Sequence, residues 1–176
     1  ILKGSMNVTE AKFANTYTTS NVSLQFAANK TLTGRVLENA QFSYKLAYLG
    51  EDGKSNIPIE EVTNNSNGAI SFAPLTYTQA DMGKTFIYTV KEINDAKPGY
   101  EYDNSVYTIT VKVIDNSDGT LRTEVTVTKP GDGNETIPAE SIVFSNVYTA
   151  KGLVQFAAKK ELVGQKLSDK QFTFVL

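Results

Sequence analysis

The chain has no cysteine, no histidine and no tryptophan among its 176 residues. Without cysteine it forms no disulfide and has no thiol nucleophile, and without histidine it lacks the usual general base of serine hydrolases. The same absences remove most ligands of zinc, copper and haem, so we expect no metal site and no cofactor. Most enzyme chemistry is therefore excluded, and we expect no enzyme that turns over a substrate.

An excess of charge of one sign is also missing. The 17 lysines and arginines nearly balance 19 acidic residues, which leaves a net charge of −2. So small a charge does not favour electrostatic capture of nucleic acid or of an anionic membrane. No apolar run approaches the roughly 18 residues of a transmembrane helix. We therefore expect no nucleic-acid partner and no membrane span in this segment.

Short segments of alternating polar and apolar residues fill most of the chain. They are rich in β-branched and aromatic residues, and turn sequences such as Lys97-Pro98-Gly99 separate them. Seven strands at this spacing are typical of a β-sandwich, so the sequence predicts an all-β fold. The predicted strands cover residues 22–32, 41–49, 68–75, 84–93, 105–114, 121–128 and 141–148.

The chain also repeats itself. Residues 24–46 match residues 154–176 at 11 of 23 positions, and residues 13–17 (FANTY) resemble residues 144–148 (FSNVY). We expect residues 1–17 to hold vector residues and the last strand of a preceding repeat. Residues 18–149 would be one complete repeat, and residues 150–176 the opening strands of a following one. Such an array predicts an extended extracellular rod whose partners are the neighbouring repeats of the same protein.

Three polar side chains fall on the buried face of their predicted strands. Lys30 shares its face with Phe26 and Ala28, while Glu92 and Asn146 likewise follow apolar residues at even spacing. A fraying strand end, a bulge, or a lysine that reaches water would explain any one of them. Three together favour a second explanation, because a buried charge must be paired or become neutral.

Lysine, glutamate and asparagine in one apolar site can form an isopeptide bond. A neutral Lys30 would attack the side-chain amide of Asn146, while protonated Glu92 bonds the amide carbonyl, polarises it and passes a proton to the departing ammonia. Asn15 and Lys160 are the equivalent residues of the flanking repeats. The apolar walls that keep these groups neutral are predicted to be Phe26, Phe42, Tyr88, Phe144 and Tyr148.

Four sequence motifs resemble those of the pilin isopeptide-linkage domain of Gram-positive bacteria. They are KTLTGRVL at residues 30–37, YTVKEI at 88–93, PGYEYD at 98–103 and FSNVY at 144–148. The resemblance implies a Cna B-type, reverse immunoglobulin-like sandwich on a bacterial cell wall or surface. It also implies that Lys30 is the amine donor, Asn146 the acceptor and Glu92 the catalytic acid, since residues 88–100 are similar to the pilin E-box.

Two functions remain open at this point. The first is a crosslinked structural stalk module of an adhesin or pilus; the second is an immunoglobulin-like binding module that recognises a host protein or glycan through its loops. Short polar loops, and the lack of a YPK-type or LPXTG-like motif, favour the adhesin stalk. Because unpaired strand edges seek partners, we also expect head-to-tail contact between residues 154–176 of one chain and 7–17 of another.

Overall fold

The computed structural model describes residues 12–129, 136–138 and 141–175. Within these ranges the chain forms twelve strands and one short 3-10 helix, so the predicted all-β fold is confirmed. None of the described segments is a helix that could cross a membrane. In chain order the strands are β1 (Val22–Leu24), β2 (Ala27–Thr33), β3 (Ser43–Gly50), β4 (Ile57–Thr63), β5 (Ala69–Ser71), β6 (Leu75–Tyr77), β7 (Thr85–Ile93), β8 (Tyr100–Glu101), β9 (Val106–Asp115), β10 (Leu121–Thr128), β11 (Thr136–Ile137) and β12 (Val143–Tyr148), with the 3-10 helix at Gln79–Asp81 between β6 and β7.

The strands form two main sheets that pack as an immunoglobulin-like sandwich. One sheet has the order β11-β10-β9-β7-β3-β4, the other has the order β5-β2-β12-β8, and β1 pairs with β6 separately. Alternate residues of both sheets enter one core, whose fully buried members include Tyr44, Leu46, Ile70, Val111 and Phe144. The alternation seen in the sequence therefore records which side chains enter the space between the sheets.

Two predicted strands are each divided in the structure. Residues 22–32 form β1 and β2 in different sheets, and residues 68–75 belong to β5 and β6, which are also in different sheets. The alternation continues from β1 into β2, whereas the inward positions shift by one residue between Ile70 in β5 and Leu75 in β6. All four strands still contribute to the same core, although their hydrogen-bonding partners change. β4, β8 and β11 were not predicted, since β4 is largely exposed and β8 and β11 have only two residues each.

The first long strand and the last strand lie side by side. β2 and β12 pair in parallel, with Phe144 opposite Lys30 and Asn146 opposite Leu32. Gly34 ends β2 with φ +86°, and a Cβ there would lie 2.2 Å from the carbonyl oxygen of Tyr148. Glycine is therefore required where the two strands approach. This pairing brings residues from opposite ends of the repeat into contact.

The two ends of the chain contain no strand in their described parts. Residues 12–21 and 150–175 have no regular secondary structure apart from a few bends and a turn, and most of their side chains are exposed. The expected vector residues 1–6 and part of the expected strand at residues 7–17 lie outside the described residues. The assignment of both ends to flanking repeats therefore stays a prediction.

Candidate crosslinking site

Three strands bring the three predicted polar residues together. β2 carries Lys30 and β12 carries Asn146 on neighbouring strands of one sheet, and β7 contributes Glu92 from the opposite sheet. Their exposed fractions are 3%, 1% and 8%, so each lies in the core, as the alternation predicted. The site therefore sits between the sheets and depends on the pairing of the first and last strands.

Glu92 contacts both of the other side chains. Lys30 Nζ lies 2.8 Å from each carboxylate oxygen of Glu92. Asn146 Nδ2 donates a hydrogen bond of 2.8 Å to Glu92 Oε1, which is one of the two oxygens that Lys30 contacts. One carboxylate oxygen thus lies between the lysine amine and the amide nitrogen of the asparagine.

A fourth residue, Asp103, binds the other end of the Asn146 amide. The backbone N–H of Asp103 donates to Asn146 Oδ1 at 2.8 Å. This differs from the expected bond between Glu92 and the amide carbonyl. The carboxylate of Glu92 accepts from Nδ2 instead, because an amide offers its donor to a carboxylate and its acceptor to an N–H.

The side chain of Asp103 holds that backbone donor in place. Its carboxylate accepts the backbone N–H groups of Ser105 and Ser145, each at 2.9 Å. Asp103 therefore connects the segment after β8 to β12, next to Asn146. Sequence reasoning missed this role, and the available signal was the Asp-x-Ser pattern at 103–105, which is typical of a side-chain-capped turn.

Burial moves both ionisable groups towards their neutral forms. Desolvation lowers the pKa of Lys30, and the hydrogen bond and charge of Glu92 oppose this only in part. Desolvation raises the pKa of Glu92 against the opposing effect of Lys30. A proton transfer from the lysine to the glutamate would therefore exchange a buried ion pair for a neutral amine and a neutral acid.

Aromatic rings enclose the lysine and the glutamate. The ring centroid of Phe42 lies 4.5 Å from Lys30 Nζ, and Phe144 is opposite Lys30 in the β2–β12 register. Tyr44, which was not predicted, is opposite Glu92 in the β3–β7 register and packs against Phe144 with centroids 5.2 Å apart. Its hydroxyl is buried without a hydrogen-bond partner among the described residues, and burial raises its pKa.

The other predicted wall residues lie farther along β7 and β12 or just before β2. Phe26 and Tyr88 pack edge to face with their centroids 5.3 Å apart, and the hydroxyl of Tyr88 is 3.0 Å from that of Tyr77. Tyr148 packs against Tyr100 at the end of β12, with centroids 4.8 Å apart. Phe42 is thus the predicted wall residue whose ring faces the amine of Lys30.

The residues assigned to the flanking repeats do not join the site. Asn15 and Lys160 are both exposed. Lys160 Nζ lies 4.9 Å from the ring centroid of Phe172, which stands at the position equivalent to Phe42. The described residues contain no cluster of acidic side chains that could hold a metal ion. The site therefore consists of an amine, an acid, an amide and a backbone N–H.

Comparisons with known proteins place the chain in a family. Residues 26–149 match the family model FctA, described as the Spy0128-like isopeptide containing domain. A search of curated proteins finds no match.

Similar solved structures include the major pilin from Streptococcus pyogenes, at 22% identity and a TM-score of 0.45, covering 72% of this chain and 50% of that one. Another is the major pilin protein from Streptococcus pyogenes serotype GAS131465, at 17% identity and a TM-score of 0.41, covering 74% of this chain and 54% of that one. The chain thus spans about half the length of these proteins. Because the family match extends over more than half of its residues, the chain belongs to the family of Spy0128-like isopeptide containing domains.

Proposed function

We propose that this domain is a structural module of a Gram-positive surface fibre, such as a pilus or an adhesin stalk, and that an isopeptide bond joins Lys30 to Asn146. One observation carries the proposal. Glu92 Oε1 lies 2.8 Å from both the lysine amine and the asparagine amide nitrogen, inside a core that excludes water. An acid that contacts both nitrogens can move a proton from one to the other.

The reaction begins with proton transfer between Lys30 and Glu92. Desolvation favours the neutral pair, so the amine gains the lone pair that it needs as a nucleophile. Phe42 and Tyr44 keep the pair away from water and carry no charge that would reverse this preference. The site thereby generates its own nucleophile from two side chains.

The amine of Lys30 then attacks Cγ of Asn146 and forms a new C–N bond. Negative charge develops on Oδ1, where the N–H of Asp103 already donates a hydrogen bond. Glu92, which holds the proton taken from Lys30 in the first step, donates it to Nδ2 and accepts the proton that the attacking Nζ releases. The old C–N bond breaks, ammonia leaves, and the product is an amide between the two side chains. Glu92 ends as the neutral acid formed in the first step. Because Lys30 and Asn146 are consumed, the protein reacts once and turns over no substrate.

The position of this bond suits a protein that carries tension. It would tie β2 to β12, the parallel neighbours near the two ends of the repeat, so that pulling on the termini could not separate them. Membership of the family supports a place at the cell wall or cell surface. The crosslink would then hold the domain together while it transmits force along the fibre.

Intact-mass spectrometry of the folded protein tests the proposal. We expect a mass lower than that of the sequence by one ammonia, and a branched tryptic peptide that joins the segments around Lys30 and Asn146. Glu92→Gln should fold and keep the full mass, because an amide does not relay the proton. Lys160→Ala is the matched control and should still lose one ammonia. A wild-type mass equal to that of the sequence would refute the proposal.

A contact near the end of the chain supports the expected repeat organisation. Lys160 and Phe172 reproduce the Lys30–Phe42 contact, although residues 150–175 form no strand. We propose that these residues open a following repeat whose remaining strands would bury Lys160. A chain extended through that repeat should lose two ammonia molecules, and loss of only one would contradict this organisation. Size-exclusion chromatography of this chain over a range of concentrations tests the proposed head-to-tail contact between chains. A monomer at every concentration would disprove that contact.

A further inference from the structure

The segment that enters the domain, residues 17–20, is fixed to it by hydrogen bonds. The hydroxyl of Tyr17 donates to Asp115 Oδ1 at 2.7 Å and accepts from the N–H of Gly119 at 3.1 Å. The N–H of Ser20 donates to the carbonyl oxygen of Gly119 at 2.9 Å. These bonds join a four-residue segment to the turn between β9 and β10, about 100 positions away in sequence.

A second element holds the same segment from another side. Gln79, in the 3-10 helix, donates from Nε2 to the carbonyl oxygen of Tyr17 at 2.9 Å and accepts the N–H of Thr19 at 3.3 Å. The hydroxyl of Thr19 is buried. The backbone before β1 is therefore held by side-chain and backbone groups of two separate elements.

Hydrogen bonds within the β9–β10 turn hold the conformation that contacts Tyr17. Asp115 Oδ1 also accepts the N–H of Ser117, and Asp118 accepts both the N–H and the hydroxyl of Thr120. Ser117 and Gly119 have positive φ values of 61° and 86°. These bonds within the turn hold the carboxylate of Asp115 and the N–H of Gly119 in the direction of Tyr17.

The sequence repeat makes Tyr17 equivalent to Tyr148. Tyr17 ends the FANTY segment and Tyr148 ends FSNVY, so both occupy the last position of the same motif. The ring of Tyr148 packs within its own repeat, against Tyr100. Beside it lies a surface cleft of about 340 Å³ lined by Pro98, Gly99, Tyr148, Thr149 and Lys151. The tyrosine at the end of the last strand thus packs against its own repeat and also lines a surface cleft that is open to a neighbouring repeat.

We propose that the β9–β10 turn, residues 115–120, together with Gln79 is the docking surface for the end of the last strand of the preceding repeat. The ring of that terminal tyrosine packs in its own repeat, and its hydroxyl binds the turn of the next one. Tyr148 would make the same contact with the following repeat, whose turn would enter the cleft beside it. Consecutive repeats then keep a fixed orientation. This inference rests on the tandem arrangement proposed above.

Amide hydrogen exchange in the present chain tests the contact itself. In Tyr17→Phe, which keeps the ring and loses the hydroxyl, the N–H of Gly119 should exchange at least about five-fold faster, as expected for loss of one hydrogen bond. Tyr148→Phe is the matched control and should leave exchange at Gly119 unchanged. Equal exchange at Gly119 in all three proteins would overturn the inference. The mass loss from the crosslink is measured on the same samples, so failure of the proposed function is detected separately.

A chain with two consecutive complete repeats tests the orientation. There Tyr148 becomes the junction residue, and residual dipolar couplings from both repeats should fit one alignment tensor. Tyr148→Phe should require two tensors, because the repeats would then reorient independently. Two tensors in the unsubstituted protein, or one tensor in both proteins, would overturn the role assigned to the hydroxyl.

Discussion

Residues 30–46 and residues 160–175 have closely related sequences and share their turns. Gly34 and Gly164 have φ values of +86° and +85°, while Ala40 and Lys170 have φ values of +54° and +59°. In the first segment the side chain of Gln41 accepts the N–H of Glu38 at 2.8 Å. The equivalent bond in the second, from the N–H of Ser168 to Gln171, is 3.0 Å long. These turns therefore depend on local sequence alone.

The two segments differ in strand formation and in burial, both of which require contact with other strands. The first contains the end of β2 and the beginning of β3, whereas residues 160–175 contain no strand. Phe42 is 2% exposed and Phe172 is 42% exposed. Lys30 is buried against Glu92, and Lys160 lies in solvent. The comparison teaches that the same lysine and phenylalanine are buried together only where the opposite sheet and the last strand cover them.

Replacing the two lysines should produce the largest difference. Lys30→Met keeps much of the apolar volume and would abolish the proposed crosslink, which would close a loop between positions 30 and 146. Loss of a closure of this size should cost roughly 4–5 kcal/mol and lower the melting temperature by roughly 10–20 °C. Lys160→Met should leave the melting temperature unchanged. Differential scanning calorimetry measures both, and similar effects of the two substitutions would contradict the assigned site.

Replacing the two equivalent glycines separates local from tertiary demands. In Gly34→Ala the new Cβ would lie 2.2 Å from the carbonyl oxygen of Tyr148, whereas at Gly164 no atom lies within 4 Å. We expect Gly34→Ala to cost more than the roughly 1–2 kcal/mol of a left-handed residue, because β2 and β12 must move apart. Gly164→Ala, with the same φ, should change the stability of the domain by less than about 0.5 kcal/mol. Urea unfolding with both variants decides this, and equal losses would show that the turn conformation alone matters.

Asp103 has no counterpart in the incomplete segment, and its removal should slow the reaction. Without the carboxylate that binds Ser105 and Ser145, the N–H of Asp103 loses its position at Asn146 Oδ1. We expect Asp103→Ala to release ammonia at least about ten-fold more slowly, since donors to a developing oxyanion commonly contribute more than this. Mass spectrometry of newly synthesised protein follows the reaction with time.

Tyr107→Phe serves as the structural control for that experiment. It removes the hydrogen bond of 2.7 Å from the Tyr107 hydroxyl to the carbonyl oxygen of Val143, and so weakens the hold on β12 without touching the reacting atoms. The control should react at nearly the wild-type rate. If it slows as much as Asp103→Ala, the effect belongs to the stability of β12 and not to the oxyanion.

The smallest expected effect is a pH dependence of stability in Asn146→Ala, which keeps Lys30 and Glu92 but cannot crosslink. The pKa of Lys30 is lowered from 10.5, so the unfolded chain binds more protons and stability should rise as the pH approaches 10.5. The pKa of Glu92 is raised from 4.5, so stability should fall as the pH rises above 4.5. A minimum at intermediate pH follows.

Thermal unfolding across this pH range measures the minimum. Adding Lys30→Met to Asn146→Ala should remove the alkaline rise and leave the acidic branch. The effect is small because the attraction between Lys30 and Glu92 offsets part of each desolvation cost. A stability that falls steadily from pH 7 to pH 10 in Asn146→Ala would show that the buried lysine is held as a cation.

The sequence allowed the buried face to be predicted better than the strand boundaries. Alternation identified Lys30, Glu92 and Asn146 as core positions, because the pleat sends every second side chain to the same side of a sheet. It could not show that residues 22–32 divide between two sheets, since both halves face one core. The missed contact of Asp103 involves a backbone N–H, which every residue except proline has and which no pattern of side chains reveals.

By itself the sequence determined the all-β class, the repeated turns and the residue types that meet in the core. The tertiary structure decided which of these residues touch. Lys30 and Glu92 are 62 positions apart, and Glu92 and Asn146 are 54 apart, so only the packed sheets bring them within hydrogen-bonding distance. It also decided the orientation of the Asn146 amide and the desolvation that shifts both pKa values. The physical reason is that alternation and turns are local properties of the backbone, whereas contact and dielectric environment depend on every element that packs around the site.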